Sequence, residues 1–247
     1  MGRYGNTAIG SRAPMVQSGN GSIALTLHST RPERPARVPV KATCPNCGGE
    51  ITFRWSSAVQ TTCPFCRSIL VRHDVDLRRV GVVSDVPPSS SAIQLGTEGR
   101  YKRTPFTVVG RIIYEYDRGR WNEWHIRLAD DSSAWLSDAL AEYAVSRQVG
   151  RAPDVPNAAS LRVGQSFVFD GTEFSVMTLT TAGYAGVEGE LPFEYWDKSK
   201  VVFADLESKT DRFATIDYSE PEPLVFVGEY QDFDQLELTH LREIEGW

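Results

Sequence analysis

The chain has 247 residues and a formal net charge of −6, with 41% hydrophobic and 11% aromatic residues. This composition suffices for a packed core, and the length allows one larger domain or two small ones beside a minor unit. No apolar run approaches the roughly 18 residues of a membrane-spanning helix, so no transmembrane segment is predicted. The N-terminus lacks the pattern of a secretory signal, and a cytoplasmic location is therefore expected.

The charge is unevenly distributed along the chain. Residues 1–43 carry +5, residues 44–82 carry +2 and residues 83–247 carry −13. The first 40 residues are rich in Gly, Ser, Arg and Pro and show no sustained periodicity, which predicts a largely disordered basic tail over 1–40. Such a tail next to an acidic body could contact an anionic partner, but its charge is spread thinly, and a solvated tail is the favoured interpretation.

All four cysteines form two Cys-x-x-Cys pairs, Cys44 with Cys47 and Cys63 with Cys66, separated by fifteen residues. This spacing is typical of a structural zinc site, in which two tight turns supply four thiolates and leave no open coordination position. We predict a zinc ribbon over 41–73 with these cysteines as Zn²⁺ ligands. Iron is compatible with four thiolates, whereas disulfides would need an oxidising compartment and a redox pair a βαβ setting.

The segments around the cysteines favour short strands. Residues 51–55 alternate between apolar and polar side chains, and residues 68–71 are typical of a returning strand. Residues 74–92 are predicted to be a linker, which contains one further candidate strand at 77–83 and a Pro- and Ser-rich signal that begins at Pro87.

Beyond residue 93 the sequence predicts a mainly β fold. Short β-prone runs alternate with Gly, Pro and Asp turn signals, as in an antiparallel β-barrel or sandwich. One helix is a candidate at residues 137–147, where Leu136, Leu140 and Tyr143 would share a face, although a strand there stays open.

This β region is predicted to be an internal duplication, with copies at 93–150 and 158–243. A later similarity, between residues 126–130 and 201–205, has an offset of 75 and suggests a loop insertion in the second copy. At an offset of 68 the aligned pairs are Gly96 and Gly164, Tyr101 and Phe169, Thr104 and Thr172, Phe106 and Phe174, and Val108 and Val176.

Several segments of the β region are similar to those of a known family. They are residues 106–111, 121–124, 135–136, 189–193, 203–206, 213–219 and 226–228, together with Tyr114. They resemble the bacterial domain-of-unknown-function 4178 family over roughly 93–243, and a preceding four-cysteine ribbon is similar to the layout of that family. The family has no established activity, so the resemblance assigns no catalytic residue. Its members are described near genes for membrane proteins and polyamine-synthesis-like enzymes, which implies a role beside a membrane-associated system.

No residue pattern predicts a catalytic site. The four histidines have no metal-ligand spacing, and the sequence lacks G-x-S-x-G, G-x-G-x-x-G and P-loop motifs. Glu123 and His125 would lie on one face of a strand, framed by tryptophans, where the carboxylate could orient the imidazole as a general base. The favoured interpretation is that both side chains form a solvated face over an aromatic core.

A second polar group comprises Glu188, Glu190, Glu194 and Asp197. Such a cluster could attract a polyamine or a divalent cation, although an exposed acidic loop without a ligand is the favoured interpretation.

The sequence therefore favours a non-enzymatic interaction or adaptor protein, with the zinc ribbon as a docking head for a protein partner in a membrane-associated stress system or a polyamine-linked one. An alternative is a ligand-binding or enzymatic β-domain acting on a cationic metabolite such as a polyamine. A second alternative, nucleic-acid binding, is disfavoured by the acidic body. It would use the aromatic and basic residues of the ribbon, namely Phe53, Arg54, Trp55, Phe65, Arg67 and Arg72.

Overall fold

The computed structural model describes residues 40–73, 76–83, 91–194 and 200–244. The basic tail and the Pro- and Ser-rich part of the linker lie outside these residues. Strands make up 58% of the residues that the structure describes, so the prediction of a mainly β fold is confirmed. Within the described ranges the one helical element is the 3₁₀ helix Phe233–Leu236, and no helix there is long and apolar enough to span a membrane.

The larger part of the molecule is an antiparallel barrel made from two runs of five strands. The first run is β6 Glu98–Tyr101, β7 Thr104–Tyr116, β8 Gly119–Leu128, β9 Ser133–Ala139 and β10 Glu142–Arg151. The second run is β11 Ser166–Phe169, β12 Thr172–Gly189, β13 Val201–Glu207, β14 Arg212–Asp217 and β15 Leu224–Gln231. Because β15 pairs with β10 and β12 pairs with β7, eight strands close the barrel, and β6 and β11 flank it.

The two runs share one pattern of hydrogen bonds at their beginnings. The amide of Gly96 donates to the carbonyl of Val108 at 2.9 Å, and the amide of Gly164 donates to that of Val176 at 2.8 Å. The strand register is also interrupted directly after Val108 and directly after Val176. Since such bulges bend a strand, both runs curve at the same point, 68 residues apart.

From β8 onward the offset between the runs is larger. Val108 pairs with Ile126, and its counterpart Val176 pairs with Leu206, so the matching positions are 80 residues apart. The earlier alignment of residues 126–130 with 201–205 is therefore wrong. The extra residues of the second run lie in the longer β12 and in the segment before β13. The similarity at an offset of 75 is a chance similarity between short β-sequences.

The outer face of the barrel is apolar and is covered by two peripheral segments. Trp124 and Ile126 pack with Leu236 and other residues that follow β15. Phe174 in the second run packs with Leu161 in the segment that follows β10. Each run is thus covered by the segment that follows the other run, and the inward-facing positions are left for a different set of side chains.

The helix considered for residues 137–147 is wrong, since this stretch is the hairpin of β9 and β10. Leu140 and Ala141 form its turn with positive φ angles of 52° and 67°. Leu136 faces Val145 across the hairpin instead of sharing a helical face with Leu140. The neighbouring strands β8 and β15 satisfy the backbone on both sides, which outweighs the helical spacing of these apolar residues.

Residues 40–83 form a small lobe, here called the four-cysteine lobe. Its strands β1 and β2 make one hairpin, and β3, β4 and β5 make a three-stranded sheet. Strand β5 lies inside the predicted linker and matches the candidate strand at 77–83. The strands are β1 Lys41–Thr43, β2 Glu50–Thr52, β3 Gln60–Thr62, β4 Ser68–His73 and β5 Asp76–Val82.

The four-cysteine lobe is joined to the barrel by backbone hydrogen bonds. The amide of Leu191, just after β12, donates to the carbonyl of Gln60 at 2.9 Å, and the amide of Val59 donates to the carbonyl of Leu191 at 2.9 Å. Lobe and barrel belong to one compact unit. One strand edge of the lobe is therefore used for contact with the barrel, and the docking role expected for the lobe stays a prediction.

The junction also requires a glycine on the barrel side. A Cβ at Gly110 would overlap the carbonyl oxygen of Glu190, so we expect Gly110→Ala to lower the free energy of unfolding by about 2–3 kcal/mol. Gly183→Ala is the matched control, since its Cβ would lie 3.8 Å from the nearest atom, on Lys200. Urea unfolding measures both changes, and equal stability of the two variants would contradict the close approach.

Candidate ligand-binding site and metal centre

The four cysteines converge on one point of the lobe. Their Sγ atoms all lie within 4.8 Å of one another, and the Cys44–Cys66 and Cys47–Cys63 Sγ separations are both 3.7 Å. Four thiolates arranged tetrahedrally at about 2.3 Å from a zinc ion would be about 3.8 Å apart. The donor set and its spacing therefore fit a single tetrahedral metal ion.

The two cysteine turns have the same backbone conformation. The amide of Gly48 donates to the carbonyl of Cys44 at 2.9 Å, and the amide of Arg67 donates to the carbonyl of Cys63 at 3.0 Å. Gly48 and Arg67 both have positive φ, at 75° and 60°. Hydrogen bonding with Ser68 lowers the pKa of Cys66, whereas burial and the other three cysteines raise the pKa of Cys47. A metal bound by all four would hold them as thiolates.

The barrel encloses a cavity of about 430 Å³. Aromatic and polar side chains line it together with aliphatic ones such as Ile112 and Met177. This lining resembles the wall of a ligand site, where a few polar groups orient a molecule among apolar contacts.

Four carboxylates line this cavity: Glu123 on β8, Asp205 and the exposed Glu207 on β13, and Asp217 on β14. Burial, together with the nearby charge of Asp205, raises the pKa of Glu123 to about 7. Burial likewise raises the pKa values of Asp205 and Asp217. The expectation that Glu123 belongs to a solvated face is wrong, because the odd-numbered residues of this part of β8 face the interior.

Glu123, Asp205 and Asp217 are held in place by hydrogen bonds. Glu123 accepts from the indole N–H of Trp121 at 2.9 Å and from the hydroxyl of Ser137 at 2.8 Å. Asp205 accepts from the hydroxyl of Thr215 at 3.1 Å, and the backbone amide of Ser219 donates to Asp217 at 2.7 Å. The three acidic groups are therefore fixed in position before any ligand arrives.

Aromatic rings form the apolar part of the wall. Tyr114 stacks on Trp121 with 4.8 Å between ring centroids, and Phe203 meets Tyr114 edge-on at 5.1 Å. Trp121 also contacts Tyr116 at 5.5 Å. Because aromatic faces attract cations, rings beside carboxylates favour a positively charged guest.

The cavity opens at one end, where exposed residues take part in its lining. Leu140, Met177 and Tyr230 line it and are 91%, 50% and 55% exposed. At the other end Trp135 and Phe193 stack with 5.7 Å between their ring centroids. A ligand would enter past the first group and meet the second at the closed end.

His125 does not form a catalytic pair with Glu123. Its Nδ1 lies 2.7 Å from the carbonyl oxygen of Glu190, and its Nε2 lies 2.7 Å from the hydroxyl of Ser133. A carbonyl can only accept, so Nδ1 carries the proton and Nε2 accepts from Ser133. Burial lowers the pKa of His125 to about 4. The carboxylate–imidazole pair considered from the sequence does not form between Glu123 and His125.

The predicted acidic cluster is divided among separate contacts. Glu188 pairs with Arg111 at 3.0 Å, and Glu194 lies 3.8 Å from Arg78. Glu190 is buried, and its carboxylate accepts from the backbone amides of Arg54 and Trp55 at 2.6 and 2.7 Å. Asp197 lies outside the described residues. The cluster is thus a set of structural contacts, and Glu190 in particular holds the lobe on the barrel.

Two of the ribbon aromatics considered for nucleic-acid binding are buried in the lobe, whereas Phe65 is exposed. Phe53 and Trp55 are only 2% and 6% exposed. The guanidinium of Arg72 lies over the ring of Phe53 and donates to the carbonyl of Ser56 at 2.7 Å. Bases could not reach either ring without opening the lobe.

The model of one protein family, described as Domain of unknown function (DUF4178), matches residues 94–233. The chain belongs to this family. The DUF4178 match begins before β6 and ends at the 3₁₀ helix, so the family domain is the barrel and the four-cysteine lobe precedes it. The family likeness predicted from the sequence is confirmed. No curated protein and no solved structure matches the chain.

The burial of Glu123 makes stability depend on pH. An unfolded chain releases this proton near pH 4.5, whereas the folded protein keeps it to about pH 7. The Glu123 contribution to the free energy of unfolding therefore falls as pH rises through this window. Glu123→Gln should gain about 2–3 kcal/mol relative to wild type between pH 4.5 and 8.

The wild-type curve alone is a poor test, because His125 has a depressed pKa and its contribution rises with pH over part of the same range. Chemical unfolding of wild type and Glu123→Gln at matched pH values isolates the carboxyl. Glu115→Gln, at an exposed residue paired with Arg120, is the control. A difference between Glu123→Gln and wild type that stays constant from pH 5 to 8 would contradict the assignment.

Proposed function

We propose that this DUF4178 barrel binds an organic cation in its cavity. The supporting observation is the charge of the lining: Glu123, Asp205 and Asp217 face the interior, and among the described lining residues the one cation, Arg120, pairs with Glu115 at 2.6 Å. Ionised carboxylates close together in a partly dry cavity raise each other's free energy. A bound cation relieves this repulsion, and the aromatic rings contact its apolar part.

The arrangement of the acidic groups favours an elongated cation with more than one charge. On β13 the side chains of Phe203, Asp205 and Glu207 all line the cavity, and alternate residues of a strand lie about 7 Å apart. Asp217 pairs with Phe203, while Asp205 is one step further along the strand. The carboxylates thus occupy successive levels, which suits amino groups separated by a few methylenes, as in a polyamine.

An adaptor role, a membrane-associated system and a nucleic-acid partner have no comparable support. The lobe face that carries Trp55 packs on the barrel, with the Trp55 indole 4.8 Å from His125. What would dock elsewhere on the lobe stays a prediction, whereas the cavity offers a defined volume and a defined charge.

Calorimetric titration with spermidine at pH 8 tests the proposal. We expect saturable binding, with affinity reduced at least about tenfold in Asp205→Asn/Asp217→Asn, because each lost charge-assisted contact contributes about 1.5–3 kcal/mol. Glu229→Gln, which removes an acidic residue outside the cavity that pairs with Lys102, should bind as wild type does. Absence of heat with wild type, or equal affinity in both variants, would overturn the proposal.

We also propose that the metal held by the four cysteines is Zn²⁺ in a structural role. Four protein thiolates with tetrahedral spacing complete its coordination shell and leave no position for a substrate. Purified protein should contain one zinc ion per chain by elemental analysis, and Cys44→Ser should lose it. Lys41→Ser, which removes an exposed ion pair with Glu50, should keep it. Stoichiometric iron in the wild type would contradict the assignment.

A further inference from the structure

The four-cysteine lobe lies against the closed end of the cavity. Ile69 and Val83 of the lobe belong to the same buried cluster as Tyr114, Trp135 and Phe203, and the last three of these residues line the cavity. The lobe is thus part of the packing that sets the shape of the binding site, although none of its described residues lines the cavity.

A chain of ring contacts connects the cysteines with the cavity wall. Cys44 and Cys63 share a buried cluster with Trp55. The Trp55 ring lies 4.8 Å from the ring of His125, and His125 lies 5.2 Å from the ring of Trp135. Trp135 itself lines the cavity.

A second connection runs through the segment that follows β12. The carboxylate of Glu190 accepts the amides of Arg54 and Trp55, and its carbonyl accepts from His125. Three residues later, Phe193 stacks on Trp135 and lines the cavity. One short segment therefore contacts both the lobe backbone at residues 54–55 and the inner wall of the barrel.

We propose that metal occupancy of the four-cysteine site and ligand occupancy of the barrel cavity are thermodynamically coupled, with each favouring the other. A lobe of this size depends on its metal for a fixed fold. Without the metal, Trp55 and the two amides that bind Glu190 lose their positions. Phe193 and Trp135 then lose their support, and a ligand must order the closed end at a cost in affinity. By linkage, the bound ligand raises the affinity of the four-cysteine site for its metal by the same factor.

The structural part of this coupling is testable without any ligand. Hydrogen exchange followed by mass spectrometry compares the full chain loaded with zinc and after chelation. Chelation should increase exchange in residues 133–137 and 190–193 as well as in the lobe, and leave β15 at 224–231 little changed. Opening of the lobe with unchanged exchange in the first two segments would overturn the coupling.

The ligand part rests on the proposed function and uses spermidine as the probe. Its affinity should fall about fivefold or more on chelation, within the usual range of coupling between sites. Glu190→Gln should keep one zinc ion and reduce this ratio, whereas Phe65→Ala, at a lobe ring that is 67% exposed, should leave it unchanged. A ratio of one in wild type would overturn the coupling.

Failure of the proposed function gives a different result. No spermidine binding in either metal state would reject the cation site, and the exchange measurement would still decide whether the lobe supports the closed end of the cavity.

Discussion

The buried carboxylate of Glu190 is the contact on which the arrangement of lobe and barrel depends. It accepts two backbone amides of the lobe, and charge-assisted hydrogen bonds of this kind are stronger than neutral ones. Burial alone disfavours its charge, so the amides and the carboxylate need each other. The missing side chain at Gly110 lets this segment approach β7 closely enough for the amide of Glu190 to reach the carbonyl of Val109.

The outer and inner faces of the barrel differ in the kind of side chain that they bury. Much of its hydrophobic burial takes place on the outer face, where peripheral segments cover Trp124, Ile126, Phe174 and Val176, and a further buried cluster lies at the closed end of the interior. The inner face is consequently free to hold carboxylates such as Glu123, which cost free energy when buried. A barrel that relied on a filled aliphatic interior for stability could not keep such groups inside.

The sequence predicted those features that depend on local spacing. The four cysteines, the repeat that relates Gly96 to Gly164 and the β-rich body follow from short patterns. The inner carboxylates could not be found in this way, because alternation places Glu123 and His125 on one face without saying whether that face is inside. Asp205 alternates with Ala204 and Leu206, which belong to an outer cluster, and the sequence around it does not show which of the two faces is inside. The structural contact of Glu190 could not be predicted either, because its partners are more than 130 residues away in the sequence.

Each run of strands is covered by the segment that follows the other run, and this arrangement affects how the chain folds. Leu161 follows the first run but covers the second, and Leu236 follows the second run but covers the first. Together with the pairing of β12 with β7, this makes most stabilising contacts distant in sequence, a topology associated with slow folding. Neither run of five strands is self-sufficient: alone, it would expose an apolar outer face and unpaired strand edges, so the two runs must acquire their structure together.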